Sequence, residues 1–138
     1  RLTSLVPYLI LDLGPGLPPL TQKLIKKCQH LIVIVEPTPN SVLHAKALIA
    51  NLVELDVNKR RISPVVVNRL RSDTQLSATQ VQEKLDFTVP AVIMPFPELI
   101  YRATQMKTIA VSYQPDTQTS QQFAKLASLM LERAQLEK

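Results

Sequence analysis

Leu31-Ile32-Val33-Ile34-Val35-Glu36-Pro37-Thr38-Pro39-Asn40-Ser41 decides how the rest of the chain reads. Five consecutive apolar residues, four of them β-branched, stop at Glu36-Pro37. A run this short, closed by turn residues, reads as a buried strand. Continuous apolar runs of this kind are typical of parallel strands covered on both faces. Pro39-Asn40-Ser41 then offers caps for a helix that runs to about Leu55.

The same alternation extends both ways. Tyr8-Leu9-Ile10-Leu11-Asp12-Leu13 is an apolar run ended by Gly14-Pro15-Gly16. Ile62 to Asn68 is another, centred on Val65-Val66-Val67, and Ala91-Val92-Ile93-Met94 is a fourth, stopped by Pro95. Between them, Pro18 to Gln29 carries Leu20, Leu24 and Ile25 at helical spacing. Ser77 begins a helix with Val81 and Leu85 four apart. Pro97-Glu98 starts one through about Met106, since Pro suits a first turn. Phe123, Leu126, Ala127, Met130 and Ala134 form one stripe of a last helix from about Thr119 to Leu136. Alternating strands and helices imply an α/β fold: a parallel sheet of about four strands with flanking helices and right-handed crossovers. No repeat or linker divides residues 1–138, so a single domain is expected. The helix after Pro39 is apolar around most of its circumference, through Leu43, Ala47, Leu48, Ile49, Leu52, Val53 and Leu55. The expectation is a helix packed between the sheet and a neighbour. The rival reading is a side covered by something outside this chain.

Composition narrows the classes. With 46% hydrophobic and 20% charged residues, the chain is globular rather than disordered. No apolar run approaches the ~20 residues of a membrane span. There is no signal-peptide pattern, and the single Cys28 excludes an internal disulfide framework. The cytoplasm is the expected compartment. Aromatic residues at 4% and the absence of Trp argue against a stacking platform for single-stranded nucleic acid. The chain begins with Arg1, and its only glycines are Gly14 and Gly16. A nucleotide-binding enzyme of this class usually carries a glycine-rich phosphate loop. None is present, so a piece of a larger protein is expected.

Ligands of open parallel sheets sit beyond the carboxyl ends of the strands. Three such ends carry notable residues. Asp12 can hold a metal-bound water, and a following Gly lets backbone N–H approach a phosphate. Asn68, followed by Arg69, can donate and accept together, as the edge of a purine requires. Pro95-Phe96-Pro97-Glu98 offers stiff prolines beside a ring, one wall of a base pocket. Each signal alone also describes an ordinary turn.

Their order is more specific. Asp-Leu-Gly-Pro-Gly (12–16), the strand ending in Glu-Pro-Thr (36–38), the Ser41-headed helix, Val-Val-Val-Asn-Arg (65–69) and Ile-Met-Pro-Phe-Pro-Glu (93–98) together resemble the second half of the ParA/MinD family of deviant-Walker P-loop ATPases. The likeness runs from about Tyr8 to Arg133. Its closest flavour is the CpaE/TadZ-like group, which localises pilus assembly machinery. Tyr101 to Val111 resembles the family segment in which a helix ends and a short extended piece precedes the last helix. The resemblance implies roles. Asp12 would be the catalytic switch acid, holding Mg²⁺ through water. Gly16 would sense the γ-phosphate through its N–H. Asn68 would bond adenine, with Arg69 beside it, and Pro95, Phe96 and Pro97 would line the base pocket. ATP would be sandwiched in a homodimer, and its hydrolysis would serve spatial positioning of a pilus apparatus, plasmid, chromosome or division site.

Two departures stand out. Gly14 stands where many members have Pro. The family's Lys-Gly-Gly-x-Gly-Lys-[Ser/Thr] loop is absent, and phosphoryl transfer depends on the positioning and electrostatics that such a loop supplies. This chain alone is therefore expected neither to hydrolyse ATP nor to bind it tightly. The family's phosphate-loop strand lies beside the strand ending at Asp12, so its absence would leave a gap with unpaired edges. The N-terminal half of the same protein, a second copy, or closure of the remaining strands would fill it.

The rival function is a degenerate, non-catalytic localisation module of the same fold. A receiver-like domain fits less well, because Asp12 has no acidic neighbour in sequence. His30 and His44 lack ligand-spaced partners for a metal. Cys28, near Lys26, Lys27 and His30, has no motif that places a base beside it. Lys59-Arg60-Arg61 is a basic patch of three charges, too few to support nucleic acid or membrane binding, and the last helix lacks a basic face for membrane targeting.

Overall fold

The computed structural model describes residues 5–69 and 75–136. The elements follow in the order α1 (Pro19–Ile25), β1 (Leu31–Val35), α2 (Pro39–Glu54), a 3-10 turn (Lys59–Arg61), β2 (Ile62–Val67), α3 (Ala78–Leu85), β3 (Ala91–Ile93), α4 (Pro97–Gln105), α5 (Ala110–Tyr113) and α6 (Gln118–Leu136). The sheet is parallel, in the order β1-β2-β3. The expected α/β class is therefore observed, with three of the four apolar runs in the sheet. Among the described residues, no helix is long and apolar enough to cross a membrane.

Local sequence explains most element boundaries. Pro39 begins α2, and the Thr38 hydroxyl, rather than Asn40 or Ser41, caps it by accepting from the Ser41 N–H at 3.4 Å. A capping box of Ser77 and Gln80 starts α3. Asp86 closes it in the left-handed conformation at φ 55°, which Asp tolerates better than most residues. Pro97 opens α4 as its first residue.

The register assigns the two faces of the sheet. Leu31, Val33 and Val35 align with Ile62, Pro64 and Val66. On this face the core gathers Val42, Ala45, Ile49 and Leu52 of α2 with Val81 and Leu85 of α3. Each fully buried aliphatic side chain of this kind contributes roughly 1.5–3 kcal/mol. The opposite face carries Ser63, Val65 and Ile93, all buried. Helix α6 packs along β3 there. Leu99 and Ala103 of α4 are also buried. Ile32 and Ile34, on that second face of β1, remain 44% and 60% exposed.

Three expectations change. Tyr8–Leu13 is not a sheet strand: it has no regular structure, and Ile10 is 93% exposed. Its backbone joins neither β1 nor β3, the outer strands of the three-stranded sheet, and an apolar run with neither a partner strand nor a covered face stays irregular. Helix α2, by contrast, packs between the sheet and α3 as expected, with Leu43 left exposed. Helix α1 is shorter than expected, ending at Ile25 before the Lys26-Lys27 turn. The extended piece before the last helix is confined to about Ile109, whose φ and ψ are −92° and 150°, and is followed by the helical turn α5.

Candidate functional site

The carboxyl ends of the three strands meet one edge of the sheet. β1 runs into Glu36-Pro37, β2 into Asn68-Arg69, and β3 into Met94-Pro95-Phe96-Pro97. Parallel pairing places the last two side by side. The Asn68 N–H donates to the Ile93 carbonyl at 2.9 Å, one residue beyond β2. Asn68 therefore sits beside the start of the Pro95–Pro97 segment.

The Asn68 side chain is positioned as well. Its Nδ2 donates to Gln75 Oε1 at 2.6 Å. The next residue, Leu76, donates its N–H to the Pro37 carbonyl at 2.9 Å. Gln75 and Leu76, just ahead of α3, are thus tied to the ends of β2 and β1. Arg69 pairs with Glu36 Oε1 at 3.1 Å. Glu36 in turn donates its N–H to the Ser41 hydroxyl at 3.0 Å. On the β3 side, the Met94 N–H donates to Gln122 Oε1 at 2.8 Å and the Thr119 hydroxyl donates to the Met94 carbonyl at 3.2 Å. These two bonds from α6 fix the backbone just ahead of Pro95. The Phe96 carbonyl accepts from the N–H groups of Leu99 and Ile100, so the Pro95–Pro97 turn is held at both ends.

Asp12 and Gly16 lie on the segment ahead of α1. Asp12 Oδ1 accepts from the Gly14 N–H at 3.1 Å, an Asx turn. Gly14 and Gly16 have φ of 67° and 75°, and a Cβ at either would meet nothing within 4 Å. Glycine is required there by backbone conformation rather than by space. The segment is anchored through Leu13 and Leu17, which pack partly buried against the core.

The structure thus brings Asn68, Arg69 and Pro95–Pro97 to one edge, and Asp12 and Gly16 share the turn ahead of α1. Reading the sequence missed three members of this edge: Glu36, Gln75 and Gln122. Glu36 had a signal, as the polar residue directly after an apolar strand. Gln75 and Gln122 had none, because their roles depend on tertiary placement.

The chemistry of these donors suits part of an ATP–Mg²⁺ complex. An amide beside a stiff proline–aromatic turn suits a purine. One exposed carboxylate suits a magnesium ion that keeps most of its waters. Nothing in the sequence supplies a glycine-rich loop for the phosphates. No phosphoryl-transfer step follows from this chain. Among the described residues, no group of three His, Cys, Asp or Glu side chains converges as a metal site.

No family model and no curated protein matches the chain. Solved structures do. A ParA family ATPase from Chlorobium tepidum matches with a TM-score of 0.80 at 16% identity, over 91% of this chain and 52% of its own. The septum site-determining protein MinD of Pyrococcus horikoshii, solved with Mg-ADP, matches at 0.73 and 21% identity, over 91% of this chain and 50% of its own. MinD in the MinC:MinD cell division complex of Aquifex aeolicus matches at 0.71 and 18% identity, over 85% and 48%. At these identities what is shared is the fold. The chain spans about half the length of the structures it matches, and its fold is that of about half of a ParA/MinD-type ATPase domain.

Proposed function

We propose that this chain is the nucleotide-base side of a ParA/MinD-like ATPase that positions cellular cargo, and that it does not hydrolyse ATP by itself. The observation that supports this reading is the match to ParA-family and MinD structures over most of this chain but only half of theirs. In this reading Asn68 and Arg69 meet the adenine, and Pro95, Phe96 and Pro97 wall it. Asp12 holds Mg²⁺ through water, and Gly16 meets the γ-phosphate. The intact ATPase works as a homodimer, its phosphate loop supplied by an N-terminal half. The cargo is a pilus apparatus of the CpaE/TadZ-like kind, a plasmid or chromosome, or a division site.

The test is sequencing upstream of Arg1 in frame, then assaying the longer product. Mg²⁺-dependent ATP turnover is expected there, lost on Asp12→Ala with the fold intact, and absent from the 138-residue chain. Unchanged turnover in Asp12→Ala sinks the assignment. A second reading, a non-catalytic localisation module, is favoured only if the phosphate loop absent from this sequence is also absent from the longer product. It requires that the longer product bind no Mg-ATP by calorimetry, and micromolar binding rules it out.

A further inference from the structure

The amino-terminal edge of the sheet, opposite Asn68, holds a hollow of about 620 Å³. Lys59 and Arg60 of the 3-10 turn line one side, and Arg133 of α6 another. The loop from Asp86 to Thr88 completes it, with Phe87 as its apolar surface and the buried Ile62 behind it. The sequence shows only the Lys59–Arg61 patch. The fold adds a third lining cation, Arg133, from the far end of the chain.

Arg133 is held in place. Its guanidinium donates to the hydroxyl of Ser63, which is completely buried, and that same hydroxyl pairs with His30 Nε2 at 2.8 Å. One of its five N–H donors is used there. Among the described residues Arg133 has no carboxylate within ion-pair distance; the ion pair they form joins Arg69 to Glu36. Three cations against the one acid, Asp86, leave the described lining with a net charge of +2. A half-buried guanidinium without a counter-ion is costly unless an anion meets it.

We propose that this hollow is a second ligand site, separate from the base site, which takes a small organic phosphate. A phosphate dianion balances the two surplus charges and matches the fork of Arg133. Phe87, half-buried, gives a ring or other apolar group a surface beside the phosphate. The volume lies within the roughly 300–1,000 Å³ of small-molecule sites. Ser63 acts as a positioning residue, through Arg133.

The test is an NMR titration of the 138-residue chain with phenyl phosphate, against inorganic phosphate and hexaglutamate. Saturable shifts are expected at the amides of residues 58–62 and 86–88. Affinity is expected about tenfold above that for inorganic phosphate, the effect of burying part of the ring (~1.4 kcal/mol). Arg133→Gln is expected to weaken binding about tenfold. Arg60→Gln, on an exposed side chain that the fold does not need, is expected to weaken it in the same direction. Ser63→Ala should weaken binding while keeping the charge. Failure to saturate overturns the site, as do shifts confined to residues 68 and 93–97, or binding unaffected by Arg60→Gln. Equal affinity for inorganic phosphate, or tighter binding of hexaglutamate, overturns the ligand class.

Discussion

Leu31–Val35 and Tyr8–Leu13 are both short apolar runs closed by turn residues, yet they have opposite surroundings. In β1, Leu31, Val33 and Val35 are buried beneath α2. In the leading segment Tyr8, Leu9, Ile10 and Leu11 are all exposed. The difference lies in neighbours, not in intrinsic preference. β1 has β2 beside it and helices on one face. Among its described residues, the leading segment packs on the core through Leu13 and Leu17. A strand needs both a hydrogen-bonding edge and a covered face, and apolar composition alone provides neither.

The largest expected effect separates these two regions directly. Leu31→Ala, at a position 7% exposed, should cost about 2–5 kcal/mol. Ile10→Ala should cost within about 0.5 kcal/mol. Urea unfolding of both variants measures the contrast, and equal losses would show that the leading segment is packed.

Much of the fold was legible in the sequence because its signals are local. The runs 31–35, 62–67 and 91–93 are short, β-branched and stopped by polar or proline residues, and each is a strand. Pro39, Ser77 and Pro97 mark real helix starts, because caps and fixed φ act within one turn. The fate of Tyr8–Leu13 was not legible, since the run carries no information about what lies beside it. The candidate site was legible in part. Asn68 and Pro95–Pro97 were found because strand ends are where open sheets bind ligands. Glu36 and Gln75 were missed because their bonds to Arg69 and Asn68 depend on how the ends of β1 and β2 and the start of α3 come together. Arg133 beneath Ser63, 70 residues away in sequence, is a purely tertiary outcome.

Smaller effects follow from the caps. Ser77→Ala removes one side of a complete capping box and should cost about 1 kcal/mol. Thr38→Ala removes a longer 3.4 Å bond and should cost less. Thermal melts that rank Thr38 above Ser77 would mean that α2, not α3, depends on its cap. Below these lies Arg69→Gln. Its ion pair with Glu36 has side chains 75% and 43% exposed, so its loss should cost under about 1 kcal/mol and fade with salt. A larger loss would make the link between the ends of β1 and β2 structural, rather than a feature of the base site.

The smallest effect in this chain carries the comparison furthest. Ile34→Lys, on the uncovered second face of β1, should change stability by no more than about 0.5 kcal/mol, because Ile34 is 60% exposed. The same change should lower self-association, since an exposed apolar edge strand invites pairing and a lysine there opposes it. Sedimentation velocity reads that shift. In a longer product with a strand and helix against β1, the outcome should reverse. Ile34 would then be buried, and placing an unpaired charge there should cost several kcal/mol. An Ile34→Lys variant that is equally stable in both contexts would mean that nothing covers this face, and that β1 is an edge strand in the complete protein too. A variant tolerated in the 138-residue chain and unfolded in the longer one would place the missing cover on Ile32 and Ile34.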